Sequence, residues 1–346
     1  HSHRSGLAYA RLSADTYGVR PEDRLGSFAP LHFDQSTFDF YTGPLCGATI
    51  VLIPRAFAVA TASLAALMEE AALTIWYSVP SVLVQLVLQD ALADRDLSAL
   101  RWVLFGGEAF PLKHLEKLMS LAPNARFSNV YGPTEVNQCT FYHLTGQTPL
   151  TEALPIGRVW PNTEALILGD DDSPVAPGEP GELLIRSPTM MLGYWQQPEL
   201  NERAFFYRTR DSGVRDRFYR TGDLVRAGSD GNLEFLGRKD RQIKTRGYRV
   251  ELDEIEHLLN LHEAVQEAAT YTVEASPEDL LIEAAVIASE GATLSQKDLA
   301  KNLIRHLAGH LPTYARPRRV IVLDEFPRTR TGKIDRNALS RLPDAG

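Results

Sequence analysis

Tyr131-Gly132-Pro133-Thr134-Glu135 decides how the rest of the chain is read. Val130 ends a short apolar run just before it, and Gly132-Pro133 then forces a turn. Glycine admits dihedrals closed to other residues, and proline fixes its own. The turn presents a phenol, a hydroxyl and a carboxylate in close succession. That set suits a nucleoside triphosphate: a ring to stack on the base, a donor for phosphate and an oxygen ligand for Mg²⁺. A plain surface turn is the other reading, since any Gly-Pro pair can make one.

Working outward, apolar strand patterns alternate with helical ones. Helices are expected over Leu7–Tyr17, Ala62–Ala72, Ser81–Gln89 and Pro111–Leu121. Strands are expected over Arg24–Leu31, Leu73–Val79, Trp102–Phe105 and Phe127–Val130, with Ala48–Ile53 a buried strand by its continuous apolar run. Such alternation predicts a mostly parallel α/β sheet, whose ligands gather at the carboxyl ends of its strands. Asp34, Gly106 and Tyr131 all fall at such ends. From Pro155 to Leu236 the chain turns to short strands and Gly/Pro turns, which predicts a small β-barrel or sheet. From Asp240 onward helices and strands mix again. The fold class is therefore α/β, a parallel-sheet part (1–150) with a small β-barrel (151–239), followed by a separate α+β domain (240–346).

The chain has 346 residues, 44% of them hydrophobic and 23% charged, which is ordinary globular composition with room for more than one core. Its net charge of -8 disfavours a general nucleic-acid binder. The arginines around Gly332 (Arg316, Arg318, Arg319, Arg328, Arg330) have no aromatic residues between them, which also disfavours a nucleic-acid patch. No apolar run reaches the ~18 residues needed to span a bilayer, and no signal peptide is visible. Two cysteines, Cys46 and Cys139, argue against a disulfide scaffold and fit a cytoplasmic setting. His306 and His310 sit one helical turn apart, but no Glu follows His306, so a zinc-protease motif is absent.

Further motifs fall in a fixed order around the central turn. Tyr219-Arg220-Thr221-Gly222-Asp223-Leu224 places an acid after a glycine turn, able to accept two hydrogen bonds from vicinal hydroxyls or simply to close a strand. The run Gly237-Arg238-Lys239-Asp240-Arg241-Gln242-Ile243-Lys244-Thr245-Arg246-Gly247-Tyr248-Arg249-Val250-Glu251 is dense in charge between two apolar regions, as at a domain junction or on a solvated hairpin. Thr331-Gly332-Lys333-Ile334-Asp335-Arg336 pairs a loop glycine with a mobile cation.

These four motifs, in this order, resemble those of the adenylate-forming superfamily, and most of all the amino-acid adenylation domains of nonribosomal peptide systems. Gly178–Trp195 resembles a further family motif, although Met191 and Leu192 replace the small residue and Arg usual before Gly193. The resemblance covers nearly the whole chain. It implies that ATP activates an amino-acid carboxylate as an aminoacyl-adenylate with release of pyrophosphate. A phosphopantetheine thiol on a peptidyl carrier protein then takes the acyl group.

By the same resemblance Glu135 binds Mg²⁺, Thr134 contacts phosphate and Tyr131 stacks on adenine. Gly107, Glu108, Asn129 and Gly132 line the nucleotide site. Asp223 holds the ribose with Arg238 nearby, and Phe235 covers the other adenine face. Lys333 bridges carboxylate and phosphate, and Asp240 is the hinge of a mobile C-terminal domain. In Phe33-Asp34-Gln35-Ser36, Asp34 matches the partner of the substrate ammonium; a helix cap is its other reading. The remaining substrate positions are Gln35, Phe38, Tyr77, Leu104, Gly106, Val130, Gln138 and Cys139. Tyr77, Leu104 and Cys139 resemble free-standing prolyl-carrier-protein ligases, so proline or another small amino acid is expected.

The chain departs from the family in one respect. Members carry a Ser/Thr/Gly-rich phosphate loop ahead of a segment like Ser2-His3-Arg4, and this sequence starts after that point. Alone it is expected to adenylate poorly. An acyl- or aryl-CoA ligase and a non-catalytic nucleotide-binding fragment are the alternatives, and Asp34 discriminates against the first.

Overall fold

The computed structural model describes residues 1–58, 60–144, 154–245, 247–276, 279–289, 294–329 and 333–342. The chain divides into two compact units, His1–Lys239 and Asp240–Gly346.

The first unit is built on a seven-stranded sheet. Its strands are β1 (Arg24–Ser27), β2 (Thr49–Leu52), β3 (Ile75–Ser78), β4 (Trp102–Gly106), β5 (Arg126–Tyr131), β6 (Thr140–Leu144) and β7 (Arg158–Val159), in the order β2-β1-β3-β4-β5-β6-β7. The first five are parallel; β6 and β7 run antiparallel. Parallel neighbours need crossovers. The helices of this region are α1 (His3–Tyr17), α2 (Gly43–Leu45), α3 (Thr61–Glu70), α4 (Pro80–Leu88) and α5 (Leu112–Leu121). Local chemistry sets their ends. Ser2 and Ser5 form a capping box on α1, Gly18 ends it in the left-handed region, and Pro80 opens α4 where its missing N–H costs nothing.

Period-two alternation sends successive strand residues to opposite cores. Trp76, Val103, Phe105 and Phe127 face one side, packed with Leu64, Leu83 and Leu115 from α3, α4 and α5. Tyr77, Leu104 and Val130 face the other, packed with Tyr9 and Tyr17 of α1, Phe38 and Trp160. Each buried side chain of this size is worth about 1.5–3 kcal/mol. The end of α1 is pinned to the amino ends of the strands. Trp102 Nε1 donates to the Tyr17 carbonyl at 2.8 Å, and Arg101 pairs with Asp23 and donates to the Gly18 carbonyl at 2.7 Å.

The structure changes one expectation here. The 48–53 segment does form a strand, β2, but it is the edge strand of the order above, and Leu52 is 68% exposed. Its β-branched run matched a buried strand because sequence pattern does not say which strand ends a sheet.

The second sheet of this unit contains β8 (Glu164–Leu168), β9 (Gly181–Arg186), β10 (Phe205–Thr209), β11 (Arg215–Ala227) and β12 (Leu233–Arg238), with the short helix α6 (Pro198–Ala204) before β10. All pairings are antiparallel in the order β10-β11-β9-β8, and β12 pairs with the second half of β11. Of the two forms expected, barrel or sheet, it is the sheet. Its core joins Leu183, Ile185 and Tyr219 to Tyr131, Val136 and Cys139 of the central turn.

The second unit starts with a hairpin, β13 (Gln242–Thr245) and β14 (Tyr248–Glu251). It continues through α7 (Leu252–Asn260), β15 (Val265–Ser276), β16 (Asp279–Ala288), α8 (Gln296–Ala308), β17 (Arg319–Leu323) and α9 (Arg336–Leu339). β15 and β16 are antiparallel, β16 and β17 parallel. Leucines of α7 and α8 pack on the sheet. No described helix is long and apolar enough to cross a membrane.

Candidate functional site

The site forms at the carboxyl ends of the parallel strands. β5 delivers the central turn, and the glycine there is obligatory: a Cβ on Gly132 would lie 1.7 Å from the Asn137 carbonyl oxygen. Gly106 at the end of β4 is equally constrained, since its Cβ would lie 2.1 Å from the Val130 oxygen. Both residues let neighbouring backbones close up.

Asp34 and Thr134 meet across this end of the sheet. The Thr134 hydroxyl donates to Asp34 Oδ2 at 2.9 Å, although the two residues are 100 positions apart. Nearby, Asn137 Nδ2 donates to the Thr37 hydroxyl at 3.0 Å. A cavity of about 770 Å³ opens beside this contact, lined by Asp34, Thr37, Thr134 and Asn137 among others. Burial above all, and then neighbouring charge including the Asp34 carboxylate, pushes the Tyr9 and Tyr77 phenols well above their ordinary range. Both therefore stay neutral beside the acid.

The apolar substrate positions assemble as one group. Phe38, Tyr77, Leu104 and Val130 share a cluster, and Phe38 packs edge-on against Tyr77 and Tyr17 at centroid distances of 5.8 Å. Gln138 donates to the Tyr17 phenol at 2.5 Å. Cys139 is not brought into this group. It packs on the opposite face with Tyr131, whose carbonyl accepts its amide at 2.9 Å.

Of the positions expected to meet the nucleotide, Tyr131 and Arg238 converge on Asp223, which is 1% exposed. The Tyr131 phenol donates to one carboxylate oxygen, and Arg238 Nη1 donates to the other at 2.7 Å. Arg238 also reaches the Thr221 carbonyl at 3.1 Å. Asn129 is half-buried on β5 and donates to the Pro155 carbonyl at 2.8 Å. Glu108 accepts the Ser81 amide at 3.3 Å, next to an exposed Gly107. Phe235 is 41% exposed on β12, open on one face.

Glu135 is 8% exposed and accepts a hydrogen bond from the Tyr194 phenol at 2.6 Å. Among the described residues no group of three His, Cys, Asp or Glu side chains forms an all-protein metal cage. A single buried carboxylate fits Mg²⁺, which keeps waters and phosphate oxygens in most of its positions.

In the second unit Asp240 is exposed and its Oδ1 accepts the Gln242 amide at 3.1 Å. Lys333 is exposed, its carbonyl accepting the Thr329 amide at 2.8 Å, while Arg246, Arg330, Thr331 and Gly332 lie outside the described residues. Of the nearby arginines, Arg319 pairs with Glu283 at 2.7 Å and Arg328 with Glu267 at 2.8 Å.

Tyr9, Tyr17 and Tyr194 belong to the site's surroundings and were missed from sequence. A signal existed for two of them: Tyr9, Ser13 and Tyr17 recur at helical spacing and form the buried face of α1.

Residues 1–195 match the family model for AMP-binding enzymes, and residues 254–333 match the one for the AMP-binding enzyme C-terminal domain. The chain is 36% identical over 341 residues to an L-proline–[L-prolyl-carrier protein] ligase of Pseudomonas fluorescens, covering 98% of this chain and 64% of the ligase. Its fold superposes on the crystal structure of IdnL1 with a TM-score of 0.82 at 33% identity, covering 94% of this chain and 66% of that one. The adenylation domain AlmE of Vibrio cholerae, solved in complex with glycyl-adenosine-5'-phosphate, gives a TM-score of 0.81 at 28% identity, covering 97% of this chain and 62% of that one. The chain thus spans less than two thirds of the length of these relatives. With a parallel sheet whose carboxyl ends carry the Tyr131–Glu135 turn, and with both family models matched in order, the chain belongs to the AMP-binding enzyme family.

Proposed function

We propose that this chain takes part in the ATP-dependent activation of an amino acid and its transfer to the phosphopantetheine thiol of a carrier protein. A carboxylate oxygen of the amino acid attacks the α-phosphorus, the bond to the β-phosphate oxygen breaks, and pyrophosphate leaves. The carrier thiolate then attacks the acyl carbonyl, and AMP departs with the former carboxylate oxygen.

The Thr134–Asp34 contact carries this reading. It puts a half-buried acid beside the hydroxyl assigned to phosphate. A carboxylate there pairs with a substrate ammonium, whereas it would repel a simple fatty or aryl acid. Phe38, Tyr77, Leu104 and Val130 form a close apolar wall, which suits proline or another small amino acid, as does the likeness to a prolyl-carrier-protein ligase. Asp223 and Arg238 hold the ribose, Tyr131 and Phe235 enclose the adenine, and Asn129 meets its amino group. Mg²⁺ on Glu135, when bound, neutralises charge on the phosphates. Lys333 supplies a cation to the reacting oxygens, and Asp240 is the pivot that lets it leave. Most of this work is positioning and charge neutralisation.

Calorimetry with a non-hydrolysable prolyl-adenylate analogue tests the assignment. Asp34→Ala should weaken binding about tenfold or more, while an analogue lacking the amino group binds both proteins alike. Equal affinity of the aminoacyl analogue for both proteins would remove Asp34 from the site.

A further inference from the structure

One loop holds Glu135 twice. The Met191 amide donates to the Glu135 carbonyl at 2.7 Å, and the Tyr194 phenol donates to Glu135 Oε1 at 2.6 Å. The loop is itself pinned from two directions. Arg217 of β11 donates to the Met191 and Leu192 carbonyls at 2.9 and 2.8 Å. Asn201 of α6 makes a two-way pair with the Tyr194 main chain, accepting from its amide at 2.7 Å and donating to its carbonyl at 2.8 Å. Met191 is buried in the core of this unit with Met190 and Tyr194 packed against it, while the next side chain, Trp195, is 85% exposed. The polar contacts add to this packing, and they end on the acid.

We propose that Tyr194 is a positioning residue whose phenol, carried on a loop fixed by Asn201 and Arg217, sets the orientation in which the Glu135 carboxylate meets a divalent cation. This rests on the reading of Glu135 as the cation's ligand. A carboxylate free to turn would have to be ordered when the cation binds, and the phenol meets that cost in advance.

The test measures Mn²⁺ bound together with α,β-methylene-ATP to the 346-residue chain, by water-proton relaxation, in the unsubstituted protein and in Tyr194→Phe, Asn201→Ala and Glu135→Gln. Tyr194→Phe should weaken Mn²⁺ about tenfold while AMP affinity, measured without metal, is unchanged. Asn201→Ala keeps the phenol but loosens its carrier, so it should give a smaller loss of the same kind. If Glu135→Gln leaves Mn²⁺ affinity unaltered, or the unsubstituted chain binds no Mn²⁺, the reading of Glu135 fails. If Glu135→Gln weakens Mn²⁺ and Tyr194→Phe does not, the positioning role is refuted. Parallel loss of Mn²⁺ and AMP affinity in Tyr194→Phe also overturns it, because that is general damage. Should Tyr194→Phe not fold, Asn201→Ala decides alone, and unchanged Mn²⁺ affinity there rejects the proposal.

Discussion

Replacing Tyr131 by Phe removes a single oxygen from the most enclosed polar contact of the site. The acceptor, Asp223, is almost fully buried and keeps its second donor, Arg238, at 2.7 Å. The lost bond runs to an ionised group, and such bonds contribute about 1.5–3 kcal/mol. Because Arg238 still compensates the charge, the expected loss is about 2 kcal/mol, below the ~3–5 kcal/mol of a fully orphaned buried ion. Guanidinium unfolding followed by near-ultraviolet circular dichroism measures it. A cycle with Asp223→Asn should give a coupling of about 1–2 kcal/mol. Burial, then the charge of Asp223, raises the Tyr131 phenol well above its ordinary value. A raised folded value means the contribution is complete below about pH 10, where the unfolded phenol titrates, and is lost only as pH climbs beyond that. The difference between the two proteins should therefore be constant from about pH 6 to about pH 9. A loss under about 0.5 kcal/mol, or strict additivity in the cycle, would refute the reasoning.

Asp39, on the π-helical turn Phe38–Thr42, is buried, and burial pushes its carboxyl up to about 8, with nearby Ser27 opposing the shift weakly. With the folded value raised, its contribution is full below about pH 4 and is lost as pH rises toward about 8. Asp39→Asn should flatten that slope in denaturant midpoints measured across the window, and an unchanged slope would exclude Asp39 as its source. In a protein that also carries the phosphate loop, Lys333→Ala should lower ATP–pyrophosphate exchange about 10²–10³-fold, while thiol transfer from preformed aminoacyl-adenylate changes little. Equal loss of both half-reactions would reject the moving-domain picture.

Much of the first sheet was legible because strand and helix alternate with clear punctuation. The segments read as Trp102–Phe105 and Phe127–Val130 are β4 and β5 with an added residue or two. Pro80 and Gly18 mark helix ends for reasons carried by the residues themselves. Motif order also pointed to Asp34, Glu135 and Asp223; the first two sit in local turns, and Asp223 lies within β11 at the irregularity that follows Arg220. Partners were not legible. Nothing near Glu135 in sequence announces Tyr194, which is 59 positions away, and nothing near Gln138 announces Tyr17, 121 positions away. The edge position of β2 and the placement of Cys139 beside Tyr131, away from Tyr77, are likewise set by topology. Spacing encodes periodicity and turns, but which faces meet is decided only when the sheet closes.

β5 ends with Val130 turned to the acyl-side cluster and Tyr131 turned to Asp223. Adjacent letters of the sequence thus serve separate compartments, divided by the thickness of one strand. If the proposed roles hold, substitution on the Val130 side would alter which side chain is admitted and leave the grip on the nucleotide intact. On the reading proposed above, a lineage built on this strand would exchange one acid for another without reinventing how it holds AMP.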